Sequence, residues 1–152
     1  MNFEQARFNM IEQQIRPWDV LDPSVLELLA VVKREDFVPA AYRNMAFTDT
    51  ELPLNATRRT LPPRVEARLL QELQVQRHEK VLEIGTGSGY MAALLGHRAQ
   101  QVYTLEPDAQ LAAQAREALR RAGGANVKAV EAAGRRGLPG EAPFDVIVLS
   151  GS

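Results

Sequence analysis

The residues best suited to chemistry lie in one short run, Glu83-Ile84-Gly85-Thr86-Gly87-Ser88-Gly89-Tyr90. It falls where an apolar segment gives way to a helical one. Glycines at such a junction let the backbone approach a ligand closely. The N-terminus of the helix that follows offers N–H groups without intrahelical partners. A dinucleotide-binding fingerprint requires G-x-G-x-x-G. Counted from Gly85, its third glycine belongs at position 90, where Tyr90 stands; glycine comes at 89 instead. That spacing disfavours a nucleotide-dependent oxidoreductase. Glu83 precedes the first glycine by two residues. An acid there opposes a pyrophosphate and suits a ligand carrying an ammonium group. A second acid, Glu106, follows Gly89 by 17 residues, at the end of the next apolar run. A carboxylate at that position can accept both hydroxyls of a ribose. Alone, each feature has a plainer alternative: a sharp strand-to-helix turn for the glycines, a solvated strand end for Glu106. Together they read as a nucleoside site.

The elements that must position these residues alternate in type. Residues 81–84 read as a strand, and 91–97 as a helix with Met91, Leu94 and Leu95 on one side. Residues 102–105 form a second strand. A helix over 107–121 aligns Leu111, Ala115 and Leu119, and Gly123-Gly124 ends it. A third strand spans 127–130 and a fourth 144–149. Strands alternating with helices predict a parallel sheet with helices on both faces. Upstream, Phe8, Ile11 and Ile15 repeat at helical spacing until Pro17. Asp22 is a candidate N-cap with Pro23 at the first helical position, followed by an apolar face of Val25, Leu26, Leu28, Leu29 and Val32. Residues 36–62 read mostly as loop, a length more often functional than idle. Pro63 opens a helix through Leu73, with Val65, Leu69, Leu70 and Leu73 inward. The chain thus divides into an N-terminal helical and loop extension, 1–62, and a core, 63–152. Residues 146–149 read as a strand buried on both faces, yet the chain reaches only 152. The expectation is a fold incomplete at its C-terminal side, or self-association through the uncovered fourth strand.

Composition excludes several classes. The chain has 152 residues, 45% hydrophobic and 24% charged, the balance of one globular domain. It has no Cys, which rules out a disulfide scaffold and Cys-ligated zinc or iron–sulfur sites. With only His78 and His97, an all-His metal cage is not expected either; both read as exposed. A net charge of −1 offers no basic field for nucleic acid. No apolar run approaches the ~20 residues of a membrane span. Met1-Asn2-Phe3-Glu4-Gln5 does not resemble a signal peptide, so a cytoplasmic location is expected.

The glycine run and Glu106 resemble class I S-adenosylmethionine-dependent methyltransferases, which have a Rossmann-like fold. Within them, nearly the whole chain is similar to the protein-L-isoaspartate O-methyltransferase family. Arg34-Glu35-Asp36-Phe37-Val38-Pro39 and Ala46-Phe47-Thr48-Asp49 match that family's N-terminal signature. Residues 81–90 match its first methyltransferase motif and 102–106 the next. Gly137-Leu138-Pro139 and Ala142-Pro143-Phe144-Asp145 match the approach to its fourth strand. The resemblance implies methyl transfer from S-adenosylmethionine to the carboxylate of isoaspartyl residues, leaving S-adenosylhomocysteine. It implies that Glu83, Gly85, Thr86, Gly87, Ser88, Gly89 and Tyr90 hold the methionine part and Glu106 the ribose. The family's Gln-Thr-Ile-Ser-x-Pro run is here Arg58-Arg59-Thr60-Leu61-Pro62. Thr60 stands where the family's Ser hydroxyl stands, and Arg58 and Arg59 lie in the loop that takes the acidic substrate. The family's Gly-Asp-Gly, whose acid bonds the adenine amino group, is here Ala132-Ala133-Gly134. Losing that hydrogen bond costs roughly 1–3 kcal/mol; Glu131 is two residues off. These departures leave two alternatives: a cofactor-binding or structural relative without the activity, or a methyltransferase with a different substrate. Trp18 and Phe47 are read as packing, Arg120-Arg121 and Arg135-Arg136 as solvated faces.

Overall fold

The computed structural model describes residues 1–151. It divides into two compact units, Met1–Gln74 and a second from Val75 onward. The division lies after Gln74 rather than after Pro62, because the helix opened by Pro63 packs on the N-terminal helices.

In the first unit, Asn2 caps α1 (Phe3–Met10) by accepting the Gln5 N–H. The chain then widens into a π turn over Ile11–Ile15 and tightens into a 3-10 turn over Arg16–Trp18, with Pro17 inside it. The single helix expected from Phe8, Ile11 and Ile15 is therefore three segments. Phe8 is 59% exposed, while Ile11 and Ile15 are buried. Under-winding brings Ile15 into line with buried Arg7 and Met10 instead of Phe8. Asp22 caps α2 (Pro23–Val31) as expected, accepting the Ser24 N–H at 2.9 Å, a cap worth about 1 kcal/mol. Val25, Leu29 and Val32 are buried there; Leu26 and Leu28 are only half-buried. The helix α3 (Pro63–Leu73) has the expected bounds, but its inner face is Pro63, Glu66, Ala67 and Leu70. Val65, Leu69 and Leu73 are half-buried.

Glu66 lies inside because a cation meets it. Arg34 and Glu35 share a 3-10 turn, Arg34–Asp36, and send opposite charges inward in two directions. Glu35 accepts Arg7 Nη2 on both carboxylate oxygens at 2.5 Å. Arg34 donates to Glu66 Oε1 from Nε at 3.2 Å and from Nη2 at 2.9 Å. All four side chains are buried. Burial pushes the Glu66 carboxyl up, against the charge and hydrogen bonds of Arg34. Between a 3-10 turn over Ala40–Met45 and α3 the chain is irregular, as expected, with an antiparallel bridge between Pro53 and Arg59.

In the second unit β1 (Lys80–Ile84), β2 (Gln101–Glu106), β3 (Val127–Glu131) and β4 (Val146–Leu149) form a parallel sheet in the order β3-β2-β1-β4. Tyr90 through Leu95 of α4 (Tyr90–Gly96) are all buried, so this helix has no solvent face rather than one apolar side. The helix α5 (Ala109–Arg121) starts two residues later than expected, because Asp108 is its N-cap and accepts the Leu111 N–H at 3.0 Å. The steps β1 to β2 to β3 run one way, so right-handed crossovers put α4 and α5 on one face. The step from β3 to β4 reverses, and its crossover carries only 3-10 turns, Gly134–Arg136 and Pro139–Glu141. Within this unit helices therefore cover one face. On that crossover Phe144 meets Tyr103 edge-on at 6.0 Å between centroids, and Tyr103 donates to Glu141 at 2.9 Å. That bond holds the phenol above its ordinary pKa. On β4 Val148 is buried, whereas Ile147 and Leu149 are 60% and 70% exposed. Among the described residues no helix is long and apolar enough to cross a membrane.

Candidate functional site at the strand ends

The strand order reverses at β1, which has β2 on one side and β4 on the other. In open parallel sheets, ligands bind beyond the carboxyl ends of the strands at such a reversal. The glycine run leaves β1 at that point and is tied to both neighbouring strands. Gly85 and Thr86 donate to the Leu105 carbonyl at 2.9 and 3.1 Å. The Ile84 carbonyl accepts from Ser150 and Gly151 at 3.0 and 3.3 Å. Gly85 has φ +93°, and a Cβ there would stand 2.6 Å from the Gly151 backbone. Its glycine is therefore demanded by the chain leaving β4 as well as by the turn. Gly89, at φ +91°, is the N-cap of α4. The Tyr90 N–H, one of the first-turn amides, is taken by the Ser88 hydroxyl at 3.2 Å.

A hydroxyl chain runs beneath the loop. Thr104 donates to Glu83 at 2.7 Å, which uses its single proton. Thr86 must then be the donor in the 2.6 Å contact between the two threonine hydroxyls. Such a relay polarises each bond in turn. Thr104 was not among the expected site residues. Its alternation with Glu106 along β2 is the signal that puts both on the face shared with Glu83, and Thr104 is the register partner of Glu83.

Glu106 points at the loop. Its Oε1 accepts the Gly87 N–H at 3.0 Å and its Oε2 accepts the Asp108 N–H at 3.2 Å. Glu83 and Glu106 are both 0% exposed. A carboxylate has about four lone-pair sites, so a ribose hydroxyl can join these amides. Two buried acids held by neutral hydroxyl and amide donors fit a ligand with a diol and positive charge. Because Glu106 is fully buried, a sugar reaching it has to shift the loop. Ala133 extends beyond β3 and presents no acid, and Glu131, the register partner of Glu106, is exposed. A Cβ on Gly134 would fall on Ile84 Cγ2, which packs this residue against the end of β1.

In the first unit Thr60 is 6% exposed. Its hydroxyl accepts the Leu52 N–H at 2.9 Å, and its own N–H donates to the Leu52 carbonyl at 2.8 Å. Arg59 is exposed and donates to the Glu51 carbonyl at 3.2 Å; half-buried Arg58 offers its carbonyl to Leu54 at 2.8 Å. Phe47 is buried as expected, 6.0 Å from the Phe3 ring. Trp18 instead lies 39% exposed with Arg64 stacked 4.6 Å over its ring. Among the described residues no group of His, Cys, Asp or Glu is placed to hold a metal ion. A groove of about 550 Å³ lies elsewhere, along α5 and the start of β3 near Leu119 and Val127.

The model of the protein-L-isoaspartate(D-aspartate) O-methyltransferase family matches residues 5–152. A protein-L-isoaspartate O-methyltransferase of Koribacter versatilis is 42% identical over 148 residues, covering 97% of this chain and 67% of that protein. A second, protein-L-isoaspartate O-methyltransferase 1 of Syntrophobacter fumaroxidans, is 39% identical over 150 residues, 99% of this chain and 70% of its own. This chain thus spans about two thirds of the length of these relatives. A solved protein-L-isoaspartate O-methyltransferase superposes with a TM-score of 0.77 at 24% identity, over 94% of this chain and 47% of the other. A putative one from Plasmodium falciparum, in complex with S-adenosyl-L-homocysteine, gives 0.72 at 18% identity over 98% of this chain and 73% of its own.

Proposed function

The chain belongs to the protein-L-isoaspartate(D-aspartate) O-methyltransferase family, whose members use S-adenosylmethionine, and on that premise we propose that it methylates the free carboxylate of isoaspartyl residues in damaged proteins. The observation that carries the proposal is the Glu106 carboxylate, turned onto the Gly87 N–H of the glycine loop where the strand order reverses. When bound, the donor supplies a methyl group on a positively charged sulfur. An isoaspartyl carboxylate is already a nucleophile, so the chain's residues have to position it rather than activate it. Glu106 would hold the ribose, Glu83 the amino end of the methionine part, and residues 85–90 its backbone-facing side. Ala133 and Gly134 would line the adenine end. Thr60, whose hydroxyl accepts from Leu52, keeps its proton for a substrate carboxylate oxygen. Arg58 and Arg59 would draw the acidic substrate.

Ala133, in place of an acid, favours a second reading: a relative that binds the donor weakly and lacks the activity or acts on another substrate. Titration calorimetry with S-adenosylhomocysteine and methyl transfer to an isoaspartyl peptide, beside its aspartyl twin, separate the two. The proposal expects binding heat and transfer to the isoaspartyl peptide alone. Heat without that selectivity selects the second reading, and no heat at high protein concentration removes both.

Self-association through β4 is part of the proposal, supported by the exposed Ile147 and Leu149. Sedimentation velocity is expected to show a concentration-dependent dimer; a monomer at every concentration rejects it. A cytoplasmic location is proposed with the substrate, since the donor is an intracellular metabolite.

A further inference from the structure

One guanidinium reaches three separate stretches of the first unit. Besides Glu66 on α3, Arg34 donates from Nη1 to the Ala46 carbonyl at 2.7 Å and from Nη2 to the Leu61 carbonyl at 3.0 Å. Ala46 and Leu61 bracket residues 47–60, so both ends of that loop hang from a single side chain. Within the bracket the loop is closed by its own bonds. Thr60 and Leu52 exchange two hydrogen bonds at 2.8 and 2.9 Å, and Leu54 donates to the Arg58 carbonyl at 2.8 Å. Thr60 and Arg59 thus ride on a segment whose two ends share one anchor.

We propose that the buried Arg34–Glu66 pair is the positioning device of this loop: Glu66 orients the planar fork of Arg34, and Arg34 sets the distance between Ala46 and Leu61 and so the placement of Thr60. This rests on the assignment of Thr60 to substrate binding made above. Several observations favour positioning over plain stability. Arg34 is 2% exposed and Glu66 4% exposed, and a buried ion pair of that kind is commonly replaceable by apolar side chains without loss of stability. Burial pushes the Glu66 carboxyl up despite its partner, so the pair is kept at a cost. A lysine in place of Arg34 could not substitute, because a single ammonium lacks the fork that serves a carboxylate and two carbonyls at once.

Arg34→Met alone strands the Glu66 charge and can fail to fold, so the test is the double variant Arg34→Met/Glu66→Met, which fills the same volume without charge. Amide hydrogen exchange is followed at Leu52 and Thr60, with kinetics on an isoaspartyl peptide and calorimetry with S-adenosylhomocysteine. Exchange at both amides is expected to quicken at least tenfold, and KM for the peptide to rise about tenfold. The kcat and S-adenosylhomocysteine affinity stay within twofold, since residues 83–106 are unaltered. Wild-type exchange at Leu52 and Thr60 overturns the proposal. Faster exchange with unchanged KM also overturns it, because the pair then holds a loop that the substrate does not use. If the unmodified protein binds S-adenosylhomocysteine but methylates no isoaspartyl peptide, the substrate assignment fails separately, and protected amides in the double variant still reject the anchor.

Discussion

Replacing Glu106 with alanine is expected to weaken S-adenosylhomocysteine binding by about 100-fold to 1,000-fold in titration calorimetry. The size follows from what the carboxylate does. A hydrogen bond to a charged group contributes about 1.5–3 kcal/mol, and a ribose brings two hydroxyls to Glu106. Taken near the lower end of that range, losing both gives about 3–4 kcal/mol, or two to three decades in Kd. A second cost adds to the first. Glu106 also accepts the Gly87 and Asp108 N–H groups, so the variant leaves both amides without that acceptor and loosens the loop before any ligand arrives. Thermal unfolding without ligand measures this part separately. Glu106→Gln retains one carbonyl acceptor and should fall between wild type and Glu106→Ala. A Kd within twofold of wild type for Glu106→Ala would falsify the ribose assignment, whatever the change in stability.

How far the sequence foretold this arrangement depends on the kind of constraint each residue obeys. The glycine run and Glu106 were legible because few residue types tolerate a positive φ beside a crowded strand end, and because strand alternation fixes which face an acid takes. Asp22 was legible for a similar reason, since an N-cap is a local contract between a side chain and an amide two residues on. Gly85 shows the limit of that kind of inference. A ligand was the expected reason for glycine there, whereas the structure adds a steric one, the Gly151 backbone. Phe8 misled because its spacing presumes an α-helix, and the π turn at Ile11–Ile15 changes which residues align. The four buried charges of the first unit, Arg7, Arg34, Glu35 and Glu66, were invisible to hydropathy. A charged residue reads as solvated until its partner is known, and these partners lie 28 and 32 residues apart in the chain. Thr104 escaped notice for the same reason: its importance is a hydrogen bond to Glu83 across the sheet, 21 residues away.

The other buried pair carries the largest expected effect on stability. Arg7 is 2% exposed and donates to both Glu35 oxygens at 2.5 Å, to Glu4 at 2.6 Å, and stacks 5.2 Å from the Phe47 ring centroid. Burial alone would lower the guanidinium pKa, but the hydrogen bonds and charges of Glu35 and Glu4 outweigh it and hold it above its ordinary value. Arg7 therefore stays charged in the core, and its compensation comes chiefly from Glu35, because the Glu4 side chain is 73% exposed and screened by water. Glu35→Ala leaves that charge without its main partner and is expected to cost about 3–5 kcal/mol. Glu4→Ala should cost less than about 1 kcal/mol. The double variant Arg7→Met/Glu35→Leu removes both charges and should recover most of the loss, because well-packed apolar side chains replace buried ion pairs at little cost. Trp18 is the chain's only tryptophan and lies in the first unit, so its fluorescence during urea unfolding reports that unit without the second. A Glu35→Ala loss below about 1 kcal/mol, or a double variant as unstable as the single one, would show that Arg7 is solvated or compensated by another group.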